Sequence, residues 1–116
     1  MNGGIHGIVK EYYDSGELYA EAPYVDGKKH GIEKEYYQSG ALYAETPRVN
    51  GYVHGIRKEY YPTGVLRDEV PYNNGVRHGI AKSYDKDNLN INCLTLYRSN
   101  REILSLYCES YRGPSI

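Results

Sequence analysis

The sequence predicts an all-β fold, an elongated, twisted, single-layer antiparallel β-meander of about nine strands built from 24-residue β-hairpin repeats. Three observations carry this expectation. The same unit starts four times at fixed spacing, at His6-Gly7-Ile8, His30-Gly31-Ile32, His54-Gly55-Ile56 and His78-Gly79-Ile80. A Gly, Pro or Asn-Gly breaker falls about every dozen residues, too often for helices. The chain has 15 Tyr but no Phe and no Trp, so every ring carries a polar tip. Such rings suit half-exposed sheet faces better than a thick dry core.

The elements follow in order within each unit. Ile32-Glu33-Lys34-Glu35-Tyr36-Tyr37 reads as a first strand, Gln38-Ser39-Gly40 as a three-residue turn with Gly at positive φ, and Ala41 to Val49 as a second strand. Asn50-Gly51 is a strong two-residue hairpin signal leading into the next unit. Asn2-Gly3 corresponds to the turn Asp26-Gly27, so the first full strand is expected to present an open edge. In the fourth unit Asn88 stands where the turn glycine should be, and two further strands, Leu89 to Tyr97 and Ile103 to Glu109, are expected around a turn at Ser99-Asn100. The expected organisation is one domain over 1–116, with repeats near 6–29, 30–53, 54–77 and 78–101. A divergent C-terminal cap covers 89–116.

Side-chain parity extends this to a register. The three-residue turn pairs Tyr36 with Leu42, Lys34 with Ala44 and Ile32 with Thr46. Holding that face through the Asp26-Gly27 and Asn50-Gly51 turns requires a glycine bulge at each of them. One face then carries a Tyr/Leu ladder, a stripe of Ile with Ala22, Thr46 and Val70, and a stripe of Lys10, Lys34, Lys58 and Lys82. The other carries tyrosine and acid, including Glu21, Glu35, Glu45, Glu59 and Glu69, with Arg57 between Glu45 and Glu69. Gly31 faces Pro23 and Gly55 faces Pro47, where a missing side chain leaves room for a ring.

The step Asp26-Gly27-Lys28-Lys29-His30-Gly31, followed by Glu35-Tyr36-Tyr37-Gln38-Ser39-Gly40-Ala41-Leu42, resembles the variant form of the MORN (membrane occupation and recognition nexus) repeat over roughly residues 2 to 90. The ordinary MORN unit has a second Gly two residues after His-Gly, and usually a Trp or Phe. Here Val9, Glu33, Arg57 and Ala81 occupy those Gly positions. The resemblance therefore implies a protein-binding role rather than a lipid-binding one. Bacterial chains built of the variant repeat are grouped as antitoxin-like proteins of toxin–antitoxin systems, and the resemblance brings no catalytic residues with it.

Other chemistry finds little support. With 14 basic against 15 acidic residues there is no field to attract nucleic acid. Successive histidines are two strands apart, about 9–10 Å, so one metal cannot reach two of them at about 2.0–2.1 Å. No metal, cofactor or catalytic residue is expected, and the chain is read as a non-enzyme. Cys93 and Cys108 have neither metal-ligand nor redox spacing and are expected to be free thiols. With no signal peptide or bilayer-spanning run read, a cytoplasmic location is expected. The expected function is a non-catalytic protein–protein interaction module. Its partner, a protein such as a toxin or a second copy, is expected on the face of Tyr12, Leu18, Ile32, Tyr36, Leu42, Ile56, Tyr60 and Leu66. The alternatives are a self-assembling scaffold and, ranked below it, a peripheral membrane binder.

Overall fold

The structure, a computed structural model, describes residues 4–87 and 90–106. Nine strands form the path of one antiparallel sheet: β1 (Gly7–Tyr12), β2 (Leu18–Val25), β4 (Gly31–Tyr36), β5 (Leu42–Val49), β7 (Gly55–Tyr60), β8 (Leu66–Asn73), β10 (Gly79–Tyr84), β11 (Ile91–Arg98) and β12 (Arg101–Leu106). Three two-residue strands, β3 (Lys28–Lys29), β6 (Tyr52–Val53) and β9 (Val76–Arg77), pair only with β2, β5 and β8. Neighbours in sequence are neighbours in space, and the described body measures 58 × 35 × 18 Å. The thin dimension exceeds that of a flat sheet, as strand twist requires.

Both turns of the repeat form where the glycines mark them. At 37–41, Tyr37 N–H donates to Ala41 O at 2.8 Å and Gly40 N–H to Tyr37 O at 2.9 Å, with Gly40 at φ 98°. At the second turn Val25 pairs with Lys28, leaving the two residues Asp26 and Gly27 at φ 52° and 82°. Two consecutive left-handed residues match the right-handed twist of the strands they join.

The register differs from the expected one beyond the first pair. Tyr36 pairs with Leu42, but Glu35 pairs with Ala44, Lys34 with Glu45 and Ile32 with Pro47. Tyr43 is an extra residue in a β-bulge, and the same slip leaves out Tyr19, Arg67 and Asn92 in the equivalent hairpins. The bulge therefore sits beside the three-residue turn and not at Asp26-Gly27. The physical reason is parity: a two-residue turn exchanges the faces, and a single extra residue in the long strand exchanges them back. Ala22, Thr46 and Val70 consequently move to the acidic face, while Glu21, Glu45 and Glu69 move to the face of the Tyr/Leu ladder. Arg57 lies between Thr46 and Val70 rather than between Glu45 and Glu69.

The best-buried residues are small and lie on the acidic face. Ala44 is 0% exposed, Thr46 3%, and Ala20, Ala22, Ala81 and Cys93 are also buried. No large side chain is fully buried among the described residues. Ala44 lies between Glu35 and Glu59 of its two neighbouring strands. Stems of long residues alternating with small ones cover the backbone while the charged heads stay near water.

Those heads are paired. Glu33, 8% exposed, accepts from Lys29 Nζ at 2.6 Å and Arg48 Nε at 2.9 Å. Glu59 is held between Arg57 and Arg67. Burial works to raise the pKa of both carboxyls, but the paired cations outweigh it and hold them below the usual carboxylate range. Cys93 also lies on this face and is disulfide-bonded, which overturns the expectation of a free thiol there. The hairpin expected around Ser99-Asn100 forms, with Leu94 paired to Leu106, so β12 runs back alongside β11. The other cysteine, Cys108, lies outside the described residues.

The tyrosine pairs join one repeat to the next. Their two side chains point to opposite faces. Tyr13, Tyr37 and Tyr61 donate to the carbonyls of Tyr36, Tyr60 and Tyr84 at 2.6, 2.6 and 2.7 Å, one repeat ahead. Tyr36, Tyr60 and Tyr84 donate to the carboxylates of Glu21, Glu45 and Glu69 at 2.7, 2.7 and 2.6 Å, one strand back. A phenylalanine would fill the same space and make neither bond.

Candidate protein-binding face

The candidate face is the one opposite the charged core, and three rows of side chains cross it. The first contains Tyr12, Leu18, Tyr36, Leu42, Tyr60, Leu66 and Tyr84. The register places all eight residues expected from the sequence on this face: Tyr12, Leu18, Tyr36, Leu42, Tyr60 and Leu66 in this row, Ile32 and Ile56 in the third. The bulge next to each leucine does not disturb this, because the extra residue turns to the other side. There Tyr19 and Tyr43 pack edge-on against Tyr13 and Tyr37 at 5.2 Å, and Arg67 lies 5.8 Å over the Tyr61 ring.

The middle row alternates in charge. Lys10, Glu21, Lys34, Glu45, Lys58, Glu69 and Lys82 are successive cross-strand neighbours. The expected partner of Lys34 was Ala44, which the bulge carries to the opposite face, against Glu35. The row is close to self-neutral, and it splits the apolar surface into two strips. Its glutamates accept the tyrosine hydroxyls of the first row.

The third row pairs isoleucine with proline: Ile8 with Pro23, Ile32 with Pro47 and Ile56 with Pro71, then Ile80 with Leu96. The isoleucines are exposed at 65%, 48%, 51% and 54%. The prolines make this row possible. A Cβ on Gly31, Gly55 or Gly79 would come within 2.7, 3.1 or 2.9 Å of the Pro23, Pro47 or Pro71 ring. The glycine of the His-Gly step is thus the space the ring fills. The row continues toward the C-terminal end of the sheet, where Ile80, Leu94, Leu96, Leu104 and Leu106 line an apolar depression. The proline half of this row and the intervening charged row were missed in the sequence; locating the bulge at Tyr19 and Tyr43 would have revealed both.

The four histidines belong to the turns. Asn50, Asn74 and Ser99 N–H donate to Nδ1 of His30, His54 and His78 at 3.3, 3.2 and 3.2 Å. Nε2 of His6 lies 3.2 Å from Asp26 Oδ1. Each imidazole therefore ties one two-residue turn to the unit before it. The Ser99-Asn100 turn takes the same place in the fourth unit, with Asn100 N–H donating to Arg77 O at 2.7 Å. Among the described residues no group of three metal-binding side chains forms.

A family model described as MORN repeat variant matches residues 5–26, 29–50 and 53–74. The fourth unit follows the matched segments and has a longer turn, closed by Asp85 N–H donating to Asn90 O, with Asp85 where the second tyrosine of the pair would stand. Comparison with curated proteins returns no match.

Proposed function

Because the chain belongs to the MORN repeat variant family, a group of non-enzymatic interaction repeats, we propose that it is a protein-binding module whose partner covers the Ile/Pro and Tyr/Leu rows. The observation that carries this reading is the unbroken row of half-exposed isoleucines, each beside a proline or leucine. Monomers rarely leave so long an apolar strip open without using it. Covering it gains roughly 25 cal/mol per Å² before the costs of association. The charged middle row is already balanced within the sheet. A partner therefore needs polar groups there to keep the row hydrogen-bonded, and has no need of net charge.

The acidic face is a poorer surface for a partner. Glu33, Glu35, Glu59 and Asp68 on it are engaged with Lys29, Arg48, Arg57 and Arg67, and a partner reading them would first have to break those pairs. Within protein binding, the family resemblance favours an antitoxin-type role with a toxin as the occupant of the rows. Pull-down from the native cell with mass spectrometry identifies that occupant. Ile32→Ser with Ile56→Ser should abolish its capture while the circular dichroism spectrum stays that of the native sheet. Capture that survives both changes, or a chain that returns only copies of itself, refutes the reading.

A further inference from the structure

We propose that the acidic face carries a guanidinium site, a depression between the first two repeats that takes one arginine side chain of a partner protein. Tyr13, Tyr19, Tyr37 and Tyr43 line it together with Glu35, and its volume is about 210 Å³. That is below the roughly 300–1,000 Å³ of a pocket for a drug-sized ligand, and suits a single side chain. The rings stand in two edge-on pairs, Tyr13 with Tyr19 and Tyr37 with Tyr43, each at 5.2 Å between centroids. Glu35 lies between Ala20 and Ala44, the residues that follow Tyr19 and Tyr43. Its negative charge, and after it burial, holds the Tyr19 hydroxyl above the usual tyrosine pKa, so carboxylate and ring share the depression.

The next repeat shows what such a site holds. One period on, Tyr37, Tyr43 and Tyr61 take the corresponding positions about Glu59, and Arg67 stands where Tyr43 stands beside Glu35. The Arg67 guanidinium lies 5.8 Å over the Tyr61 ring and pairs with Glu59. Arg57 closes on the same carboxylate from its own strand. The Glu35 site has neither cation of its own: Tyr43 replaces the equivalent of Arg67, and Glu33 the equivalent of Arg57. Among the described residues the one salt bridge of Glu35 reaches Arg57 at 3.7 Å, the longest on this face, and Arg57 lies closer to Glu59. A second cation can therefore join Glu35 without breaking the Arg57–Glu59 pair. Aromatic faces attract arginine more often than lysine. Its planar fork can lie on a ring and still meet a carboxylate with two N–H groups. A quaternary ammonium would gain the rings but offer no N–H to Glu35. The site lies on the face opposite the isoleucine row and does not rest on the reading above.

The test is a nuclear magnetic resonance titration of the full chain, carbon-13-labelled in its tyrosine rings, with an end-capped Gly-Arg-Gly peptide. Saturable shifts at Tyr13, Tyr19, Tyr37 and Tyr43 are expected. Glu35→Gln keeps the size of the side chain and should weaken binding about tenfold or more, as loss of a charged hydrogen-bonding partner does. Tyr43→Arg supplies a guanidinium from within the chain, as Arg67 does at the same bulge position. The sheet should then persist by circular dichroism, and peptide binding should be lost. Ile32→Ser with Ile56→Ser should leave the peptide affinity unchanged, which separates this site from the face proposed above. Absence of saturable shifts overturns the inference. So does binding indifferent to Glu35→Gln or Tyr43→Arg, binding lost with the isoleucines, or tetramethylammonium binding as tightly as the peptide. Free arginine binding where the capped peptide does not would make the ligand a metabolite, and overturns the assignment to a partner protein.

Discussion

Replacing Tyr37 and Tyr61 with phenylalanine tests whether the hydroxyl ladder couples the repeats. Each donates to a backbone carbonyl of the following unit, Tyr37 to Tyr60 O at 2.6 Å and Tyr61 to Tyr84 O at 2.7 Å. Phenylalanine keeps the ring, so the edge contact of Tyr37 with Tyr43 at 5.2 Å survives and only the hydrogen bond is lost. A net hydrogen bond contributes about 0.5–1.5 kcal/mol, and a carbonyl left half-covered without its donor pushes the cost toward the upper end. The two sites do not touch, so their losses should add to about 2 kcal/mol. In a domain of this size that is roughly 8–16 °C in Tm. The assay is urea unfolding followed by far-ultraviolet circular dichroism, with the midpoint moving at constant slope. Tyr52→Phe is the control: its side chain is 61% exposed and its hydroxyl makes no hydrogen bond among the described residues, so it should stay within about 0.5 kcal/mol of the parent. A double variant as stable as the parent, or a control that loses as much, refutes the coupling.

The two kinds of glycine should respond differently to alanine. At Gly40, with φ 98° and nothing within 4 Å of an added Cβ, the cost is conformational alone, about 1–2 kcal/mol. At Gly31, with φ 125°, the Pro23 ring 2.7 Å away adds an overpacking cost of about 1–3 kcal/mol. Equal midpoints for the two variants in urea would show that the ring moves aside freely. Tyr36, Tyr60 and Tyr84 should ionise late, because burial and the carboxylates of Glu21 and Glu45 push the first two up to about 12, and Glu69 with burial does the same for Tyr84. The folded state binds these protons more tightly than the unfolded chain, for which the value is 10.0, so their stabilisation is complete below pH 10 and is lost as pH rises through about 12. Tyrosinate absorbance should resolve this late class, and Glu45→Gln should move Tyr60 to earlier ionisation; an unchanged titration would remove Glu45 as a cause.

The fold was legible because its signals are local. Asn50-Gly51 states a two-residue hairpin, Gly40 states a left-handed turn residue, and the period multiplies both. The pairing of Tyr36 with Leu42 and the contact of Gly31 with Pro23 follow from the same short-range geometry. The bulge was not legible at its true place. Tyr19 and Tyr43 are ordinary strand residues by composition, and only the contact of their rings with Tyr13 and Tyr37 shows why the extra residue belongs there. Misplacing it by one turn transferred Ala22, Thr46 and Val70 to the wrong face and hid the row of Pro23, Pro47 and Pro71. The eight residues of the candidate face kept their side regardless, because all of them lie outside the stretch between the two competing bulge positions.

The corrected parity leaves the candidate face where the sequence put it and changes the account of the other one. The acidic face holds the best-buried residues, Ala44, Thr46 and Glu33 among them, while the isoleucines stay half-exposed, because one layer of sheet has no second layer to bury isoleucine against. The backbone can be covered only by side chains of the same layer. Long charged residues do that well when small residues stand between them: stems of Glu35 and Glu59 lie beside Ala44, and the Arg57 and Arg67 guanidinium groups close over Glu59. Isoleucine and proline are too short to shield one another in this manner. The ion pairs are therefore spent on holding the sheet, and the apolar rows remain half-exposed. In the complex proposed above, a partner covering Ile32 and Ile56 would supply the second layer that the repeat does not encode.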